Sequence, residues 1–442
     1  DLAIAPNSLV IKQARVRLVT DWSNDTCLIN QSAEDVPVNY SSIYHIIPFL
    51  QPNSYIFGLD LIDCFAHWML APESRRWFGI RNPVTRESGE FTFLPQGLSP
   101  SPGINDKNVK ACIKPIHDNF SHIKLFDFVD DIRGTVVSDQ HHSATSETDS
   151  LDAMNTVLNM WDLIGLRIHG PDKPDKFISP SKIIDWIGFV INTIIMAIFL
   201  QAKKIEKINL LLDEFLDAAG KKEPIKARQI ASLVGILNWA TFVVREGRCF
   251  NICFYKQLTQ SGAPLSWAKG QKRANPLVVV TESMILAANW WKNILATNPY
   301  LKIHQHHRIV NFRRISVSYV WSPDFFQLFP DTLQNLEDQL IPVQTDASKQ
   351  GWGVYFPTSD LSFQGEWGTI ISNKSSNYRE LYTVLMFLRL PQIEEFRDRF
   401  FILQTDNKVT IHYVNVGSGM FPELAAIAAE IKAIQTRFRI NI

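Results

Sequence analysis

The chain has 442 residues, 46% of them hydrophobic, which is enough to bury substantial cores and suggests two to four domains rather than one. Lys plus Arg and Asp plus Glu each total 44, so net charge gives no push toward an anionic partner, and a nucleic-acid protein of this composition must gather its basic residues locally, in a groove. Five cysteines, odd in number and scattered, argue against a disulfide framework and fit a reducing compartment.

The sequence begins at Asp1 with no charged-then-apolar leader, so no signal peptide is read; the expectation is an intracellular protein of the cytoplasm or nucleus, not a secreted one. From residue 1 to about 200, short strands and helices alternate, with turn signals at Pro52-Asn53, Pro102-Gly103 and Gly170-Pro171, a texture that reads as α+β. Residues 184 to 200 read as a hairpin whose two β-rich runs flank Ile191-Asn192-Thr193. The apolar run Ile187 to Leu200 is broken by Asn192 and Thr193 and falls short of the roughly 20 residues a membrane helix needs. No membrane partner is expected.

Residues 203 to 216 and 225 to 258 repeat apolar positions at three and four, the pattern of amphipathic helices with a basic wet face. Cys249 and Cys253, four apart there, read as core thiols rather than zinc ligands. Residues 259 to 340 show no clear period, and His304, His306 and His307 read as a solvated basic loop, because acidic or Cys ligands are missing nearby. From Ile341 the texture is again strand and helix: IPVQTDAS, GWGVYF and FFILQTD are strand-like, and residues 377 to 390 and 423 to 437 helix-like, a small α/β domain.

Three segments in the first half carry chemistry. In Leu59-Asp60-Leu61-Ile62-Asp63-Cys64-Phe65 a strand runs into a turn and leaves Asp60 at its end. Leu94-Pro95-Gln96-Gly97 opens a loop whose backbone is approachable. Phe126-Asp127-Phe128-Val129-Asp130-Asp131 places two acids at a hairpin tip. Each has a bland reading: Asp pairs favour turns, and Asp60 could be an N-cap. Carboxylates converging from two strand ends would hold two divalent ions about 4 Å apart, as nucleotidyl transfer requires.

In order and spacing these segments resemble the A, B and C motifs of retroelement reverse transcriptases. Upstream, residues 15 to 23 resemble the fingers segment. Downstream, Gly165 to Lys176 with Pro180-Ser181 resembles the D motif, and Trp186-Ile187-Gly188-Phe189 the primer grip. The resemblance implies Asp60, Asp130 and Asp131 as metal-binding acids for Mg2+, with Mn2+ an alternative. It implies Arg17 on the incoming triphosphate, Phe65 against a ribose 2′ hydroxyl, Gln96 and Gly97 lining the nucleotide pocket, and Lys176 as general acid, with Lys173 a competitor. Asp63 is read as structural support. Phe128 stands where most relatives have Tyr, and Val136 to Asp149 reads as a polar surface insertion.

In the last hundred residues, Asp346, Glu380 and Asp406 lie in segments that resemble the ribonuclease H domain following reverse transcriptase in LTR and DIRS-like retroelements. They match three of that family's four carboxylates; the fourth is not reached by Ile442, so hybrid cleavage is doubtful on this reading and the end of the domain is expected to be partly unfolded. The implied architecture is a right-hand polymerase, with fingers and palm over 1–200 and a helical thumb over 201–260, then a connecting region over 261–340 and an incomplete ribonuclease H-like domain over 341–442. The implied function is RNA-directed DNA synthesis from dNTPs on an RNA or DNA template-primer duplex. In the thumb, Lys203, Lys204, Lys207 and Arg228 are candidate phosphate contacts or simply a wet helix face. The rival reading is a decayed or domesticated remnant that binds duplexes without catalysis. Protein partners are not legible.

Overall fold

The computed structural model describes residues 5, 7–12, 15–23, 29–82, 84–137, 145–263, 275–303, 340–397, 399–417, 419, 421–438, 440 and 442. Among these, two compact units are built, the first on residues up to 198 with 302–303, the second on 199–263, 275–301 and 340–442. His304, His306 and His307, and much of the expected connecting region, lie outside the described residues, as do residues 138–144 of the polar insertion.

In the first unit, strands β1 (Asn7–Lys12) and β2 (Arg15–Thr20) form an antiparallel pair. The central sheet contains β3 (Ile56–Asp60), β4 (Ile123–Phe128), β5 (Asp131–Val136) and β6 (Ile178–Ser181), in the order β4-β5-β3-β6. Aliphatic residues at alternate positions, such as Ile123, Leu125, Ile132 and Val136, turn one face of this sheet inward. Two helices cover that face: α1 (Ser101–Asn119) through Val109, Ile113 and Ile116, and α2 (Glu147–Leu163) through Ala153, Met154, Val157 and Trp161. α2 starts where Ser146 and Asp149 cap each other's backbone N–H groups, which satisfies two otherwise orphaned donors. The helices occupy one face, so Asp60, Asp131, Arg133 and Thr135 turn to the other, beside Ile56 and Gly58.

One expectation needs correction here. Pro102-Gly103 does not make a turn but opens α1, where a proline without an N–H costs nothing; a Cβ on Gly103 would stand 2.2 Å from the Val36 carbonyl oxygen, so glycine permits that close approach. The expected hairpin is present, since Phe189–Asn192 and Ala197–Leu200 are neighbouring strands joined by a turn at 193–196, where Asn192 Oδ1 accepts from the N–H groups of Ile194 and Ile195, and a second hairpin precedes it. β7 (Ile183–Trp186) pairs with β8 (Phe189–Asn192), Trp186 opposite Phe189, about a tight turn at Ile187 and Gly188 with φ of 41° and 93°. Both central residues have positive φ, as the twist of a two-residue hairpin loop demands.

The second unit contains four long helices: α3 (Ala202–Gly220), α4 (Ala227–Ala240), α5 (Gly247–Gln260) and α6 (Glu282–Ala296). The last lies in a stretch whose sequence shows no clear period, and it buries Met284, Ala287, Ala288, Trp291 and Leu295. The same unit holds a four-stranded sheet of β9 (Leu340–Ala347), β10 (Gly351–Phe356), β11 (Leu361–Glu366) and β12 (Phe400–Gln404), ordered β11-β10-β9-β12, with β9 and β12 parallel and the other pairs antiparallel. Helices α7 (Ser376–Leu388), α8 (Lys408–Val416) and α9 (Pro422–Phe438) pack with it around Leu381, Val384, Phe387, Phe401 and Ile431. Ile440 and Ile442 are buried in this core, so the expectation of an unfolded end does not hold for them. Cys249 is half-buried and donates to the Gly417 carbonyl at 2.5 Å, and among the described residues no helix is long and apolar enough to cross a membrane.

Candidate active site

Asp60 closes β3, all five of whose residues are buried, and Asp131 opens β5; the register makes the two direct cross-strand partners. Asp130 lies in the turn between β4 and β5, after Val129, whose φ of 64° is unusual for a β-branched residue. Backbone bonds hold this corner: Leu61 N–H donates to the Asp130 carbonyl at 2.8 Å, and His169 N–H to the Asp60 carbonyl at 3.0 Å. Asn105 of α1, fully buried, donates from Nδ2 to the Val129 carbonyl at 3.1 Å. Its Oδ1 accepts from Trp68 Nε1 at 2.6 Å and from Cys64 Sγ at 3.0 Å. A single amide thus ties the strained turn to the segment carrying Phe65.

The three acids are electrostatically crowded. Burial pushes the Asp131 carboxyl up to about 6 against the pull of Arg133, with Asp60 and Asp130 adding to the rise. Asp60 is also raised, by burial first, which its bond to Lys176 opposes. Lys176 Nζ donates to Asp60 Oδ2 at 2.6 Å, and His169 Nε2 lies 3.6 Å from Oδ1. Burial alone would lower the Lys176 ammonium, but Asp60, Asp130 and Asp131 outweigh it and leave the group raised. Lys173 instead stands 3.2 Å from His169 Nδ1, so of the two lysines Lys176 is the one on the acid.

Phe65 is half-buried in the 3-10 turn Cys64–His67 that follows β3, and Asp63 caps that turn in a left-handed conformation. Gln96 has an exposed side chain and a carbonyl held by Trp22 Nε1 at 3.0 Å; Gly97, at φ 87°, has its carbonyl held by Asn30 Nδ2 at 3.0 Å. Arg17 lies on β2 opposite Val10.

The second cluster lies in the other unit. Asp346 is on β9 and Glu380 on α7, whereas Asp406 lies just past the end of β12 rather than on the strand. Asp346 and Asp406 are exposed along a groove with Gln344, Gln404 and Gln364. Glu380 is 5% exposed, and burial together with Asp346 and Asp406 raises it to about 7.

Among the described residues, no three His, Cys, Asp or Glu side chains already stand together as a metal-binding group; in the first cluster Lys176 and Arg133 hold two of the acids instead. The donors nevertheless suit a hard divalent cation, being carboxylate oxygens only. Glu380 Oε2 is buried without a hydrogen-bond partner, a vacancy in its bonding that a cation would fill.

No protein-family model matches the chain. In sequence it is similar to the Gag-Pro-Pol polyproteins of Sheep pulmonary adenomatosis virus, 33% identical over 85 residues, and of Simian retrovirus SRV-2, 30% identical over 91 residues. These matches span 18% and 19% of this chain and 5% of each polyprotein. In structure it is similar to the foamy viral protease-reverse transcriptase dRH in complex with double-stranded DNA, at TM-score 0.53 and 13% identity, over 99% of this chain and 64% of that one. A second foamy viral protease-reverse transcriptase structure, in complex with dsDNA, gives TM-score 0.52 at 13% identity, over 99% and 76%. The fold is that of a reverse transcriptase. That fold is α+β, of the right-hand polymerase class, with a ribonuclease H-like region.

Against this reverse transcriptase fold, sequence reasoning missed three groups around the first cluster: Arg133, Asn105, and the Trp22–Asn30 pair that grips the Gln96-Gly97 loop. A charge inside an otherwise strand-like run (Asp131-Ile132-Arg133-Gly134) was the signal available for the first. The others are polar residues whose partners lie 24 to 74 positions away.

Proposed function

We propose that the chain is the RNA-directed DNA polymerase of a retrotransposable element, extending a primer 3′ end with dNTPs on an RNA or DNA template inside the cell. The observation that carries this reading is the juxtaposition of Asp60 and Asp131 as cross-strand partners, with Asp130 in the adjoining turn and Lys176 on Asp60. Asn377-Tyr378-Arg379-Glu380-Leu381, the short fingers and the Pro180-Ser181 step favour the DIRS-like branch over other LTR-type elements.

In the reaction the primer 3′ oxygen attacks the α-phosphorus of the dNTP, and the bond to the pyrophosphate oxygen breaks. Asp60, Asp130 and Asp131 would hold Mg2+ or Mn2+, which supplies neutralising charge and acidifies the attacking hydroxyl. Phe65, on the 3-10 turn that follows Asp63, is assigned to the position that would crowd a ribose 2′ hydroxyl. Gln96 and Gly97 present an approachable backbone to the nucleotide, and Arg17 is assigned to its triphosphate. Lys176, held protonated by the acids around it, gives a proton to the leaving pyrophosphate. Lys203, Lys204, Lys207 and Arg228 on α3 and α4 supply duplex phosphate contacts, so affinity should fall with salt and depend little on sequence. Asp346, Glu380 and Asp406 form a second carboxylate site for a divalent cation.

Primer extension on poly(rA) with oligo(dT) and Mg2+ tests the reading. A folded chain that binds the duplex and makes no DNA would instead be a remnant that binds without catalysis.

A further inference from the structure

Arg133 sits in the middle of β5 with 5% of its surface exposed, at a strand position where an apolar side chain would ordinarily pack. Ile132 and Val136 on the same strand turn into the helical core. Asp131, Arg133 and Thr135 therefore turn to the opposite face, the one that carries Asp60 and Gly58 on β3. Gly58 is the direct cross-strand partner of Arg133, and a Cβ there would stand 3.0 Å from Nη1 and 3.1 Å from Cζ. The missing side chain makes the space in which the guanidinium lies.

From that space Arg133 makes three bonds. Nη1 donates to Asp131 Oδ1 and, at 3.1 Å, to the Ile132 carbonyl; Nη2 donates to the Asp185 carbonyl of β7 at 2.9 Å. Lys176, on Asp60, is a contrast: its side chain is 39% exposed on a flexible stem, against 6% for Arg133. Lys176 can leave its acid for a ligand. Arg133 cannot do so without burying an unpaired charge and abandoning two carbonyls, which is strongly unfavourable.

We propose that Arg133 is a positioning residue of the polymerase centre, a permanent internal cation that holds the Asp131 carboxylate by one oxygen and fixes it to the Ile183–Asn192 hairpin. The proposal rests on the polymerase reading of Asp60, Asp130 and Asp131. It makes the three acids unequal: Asp131 presents its remaining oxygen, and a divalent cation meets one net negative charge fewer than it would without Arg133. Because Asp185 belongs to the hairpin that resembles the primer grip, a displacement of that hairpin would be felt at Asp131.

The test is a titration of Mn2+ by electron paramagnetic resonance on the full chain with a bound template-primer duplex, beside steady-state primer extension. Every protein carries Asp346→Asn and Asp406→Asn, so that the second acid cluster does not contribute. Arg133→Met should tighten Mn2+ binding roughly three- to tenfold, since a fixed positive charge beside a ligand is gone. In an Asp131→Asn background the same change should have a clearly smaller effect, because the part carried by the Arg133–Asp131 contact is gone and only through-space repulsion remains. Arg133→Lys should keep Mn2+ affinity within about twofold yet lower kcat at least about tenfold with little change in dNTP KM, since an ammonium cannot span Asp131 and the Asp185 carbonyl. Gly58→Ala, which keeps every charge and crowds the guanidinium, should lower kcat in the same direction and serves if Arg133→Met does not fold. Unchanged Mn2+ affinity in Arg133→Met, equal effects in both backgrounds, absence of Mn2+ binding, or full kcat in both Arg133→Lys and Gly58→Ala would overturn the proposal. Duplex and Mn2+ binding without DNA synthesis would remove the polymerase reading alone, and the Mn2+ cycle would still decide Arg133.

Discussion

Asp60 and Asp131 face each other directly across β3 and β5, an arrangement of like charges that a sheet does not favour on stability grounds. Lys176 and Arg133 offset part of the repulsion, and Asp130 adds to it at both acids. Asp130→Asn is therefore expected to raise the unfolding midpoint in the absence of divalent ions by roughly 1–3 °C while lowering primer extension by about a thousandfold or more. Thermal melts in EDTA and extension assays on the same preparation measure both. A variant that is no more stable and still synthesises DNA would show that the corner is an ordinary turn.

Lys176 and Lys173 are three residues apart, and only the first bonds an acid directly among the contacts described. Lys176→Met should lower kcat by about a hundredfold with little change in dNTP KM, the size expected when a general acid is lost. Lys176→Arg keeps the positive charge but holds its proton too tightly to transfer it, so kcat should stay low. Lys173→Met should cost about threefold or less. Recovery of kcat in Lys176→Arg would mean that the role is electrostatic.

Glu380 gives a pH dependence. Its carboxyl, raised from 4.5 to about 7, is protonated in the folded state over a range in which the unfolded chain has released its proton. Folding therefore takes up a proton between these values, and stability falls as pH rises from about 4.5 through 7. The unfolding midpoint should drop from pH 5 to pH 8, Glu380→Gln should flatten that drop, and Mg2+ added at pH 8 should recover part of it in the wild-type chain only. Calorimetric scans across pH with and without Mg2+ decide this, and an identical pH profile for Glu380→Gln would contradict the buried-acid account.

Much of the site was legible because it lies where local patterns end. A run of apolar strand residues that stops at an acid, such as Phe57 to Asp60 or Phe126 to Asp131, announces both the strand and the residue at its tip. The hairpin turn after Asn192 was legible because Asn192 and Thr193 are turn residues, whereas the preceding turn uses Ile187 in the left-handed region, a conformation for which isoleucine gives no signal, and only the resemblance of Trp186 to Phe189 to a primer grip marks it. Arg133 and Asn105 were invisible as functional groups for another reason. Their meaning lies in partners contributed by distant segments, Asp185 for one and Cys64, Trp68 and Val129 for the other, and no local periodicity records such pairings.

Asn105 permits a last prediction, because its amide is shared among three elements and no water reaches it. Replacing it with Leu, of similar size, strands the Trp68 indole N–H and leaves the Val129 carbonyl only the weak Cys64 thiol donor at 3.6 Å, and a buried unsatisfied group costs about 1–3 kcal/mol. The change should lower stability by roughly 1–3 kcal/mol, measurable as a shift of the urea midpoint at constant slope. Asn105→Asp keeps the acceptor for Trp68 and Cys64 but places a carboxylate against the Val129 carbonyl and close to Asp130. It should therefore be less stable still at pH 8 and recover toward pH 5, where the new carboxyl protonates and can donate to that carbonyl. Cys64→Ala loses only a weak thiol donor and should cost less than about 1.5 kcal/mol. An Asn105→Leu protein as stable as the wild type would mean that the strained Val129 turn is held by its strands alone.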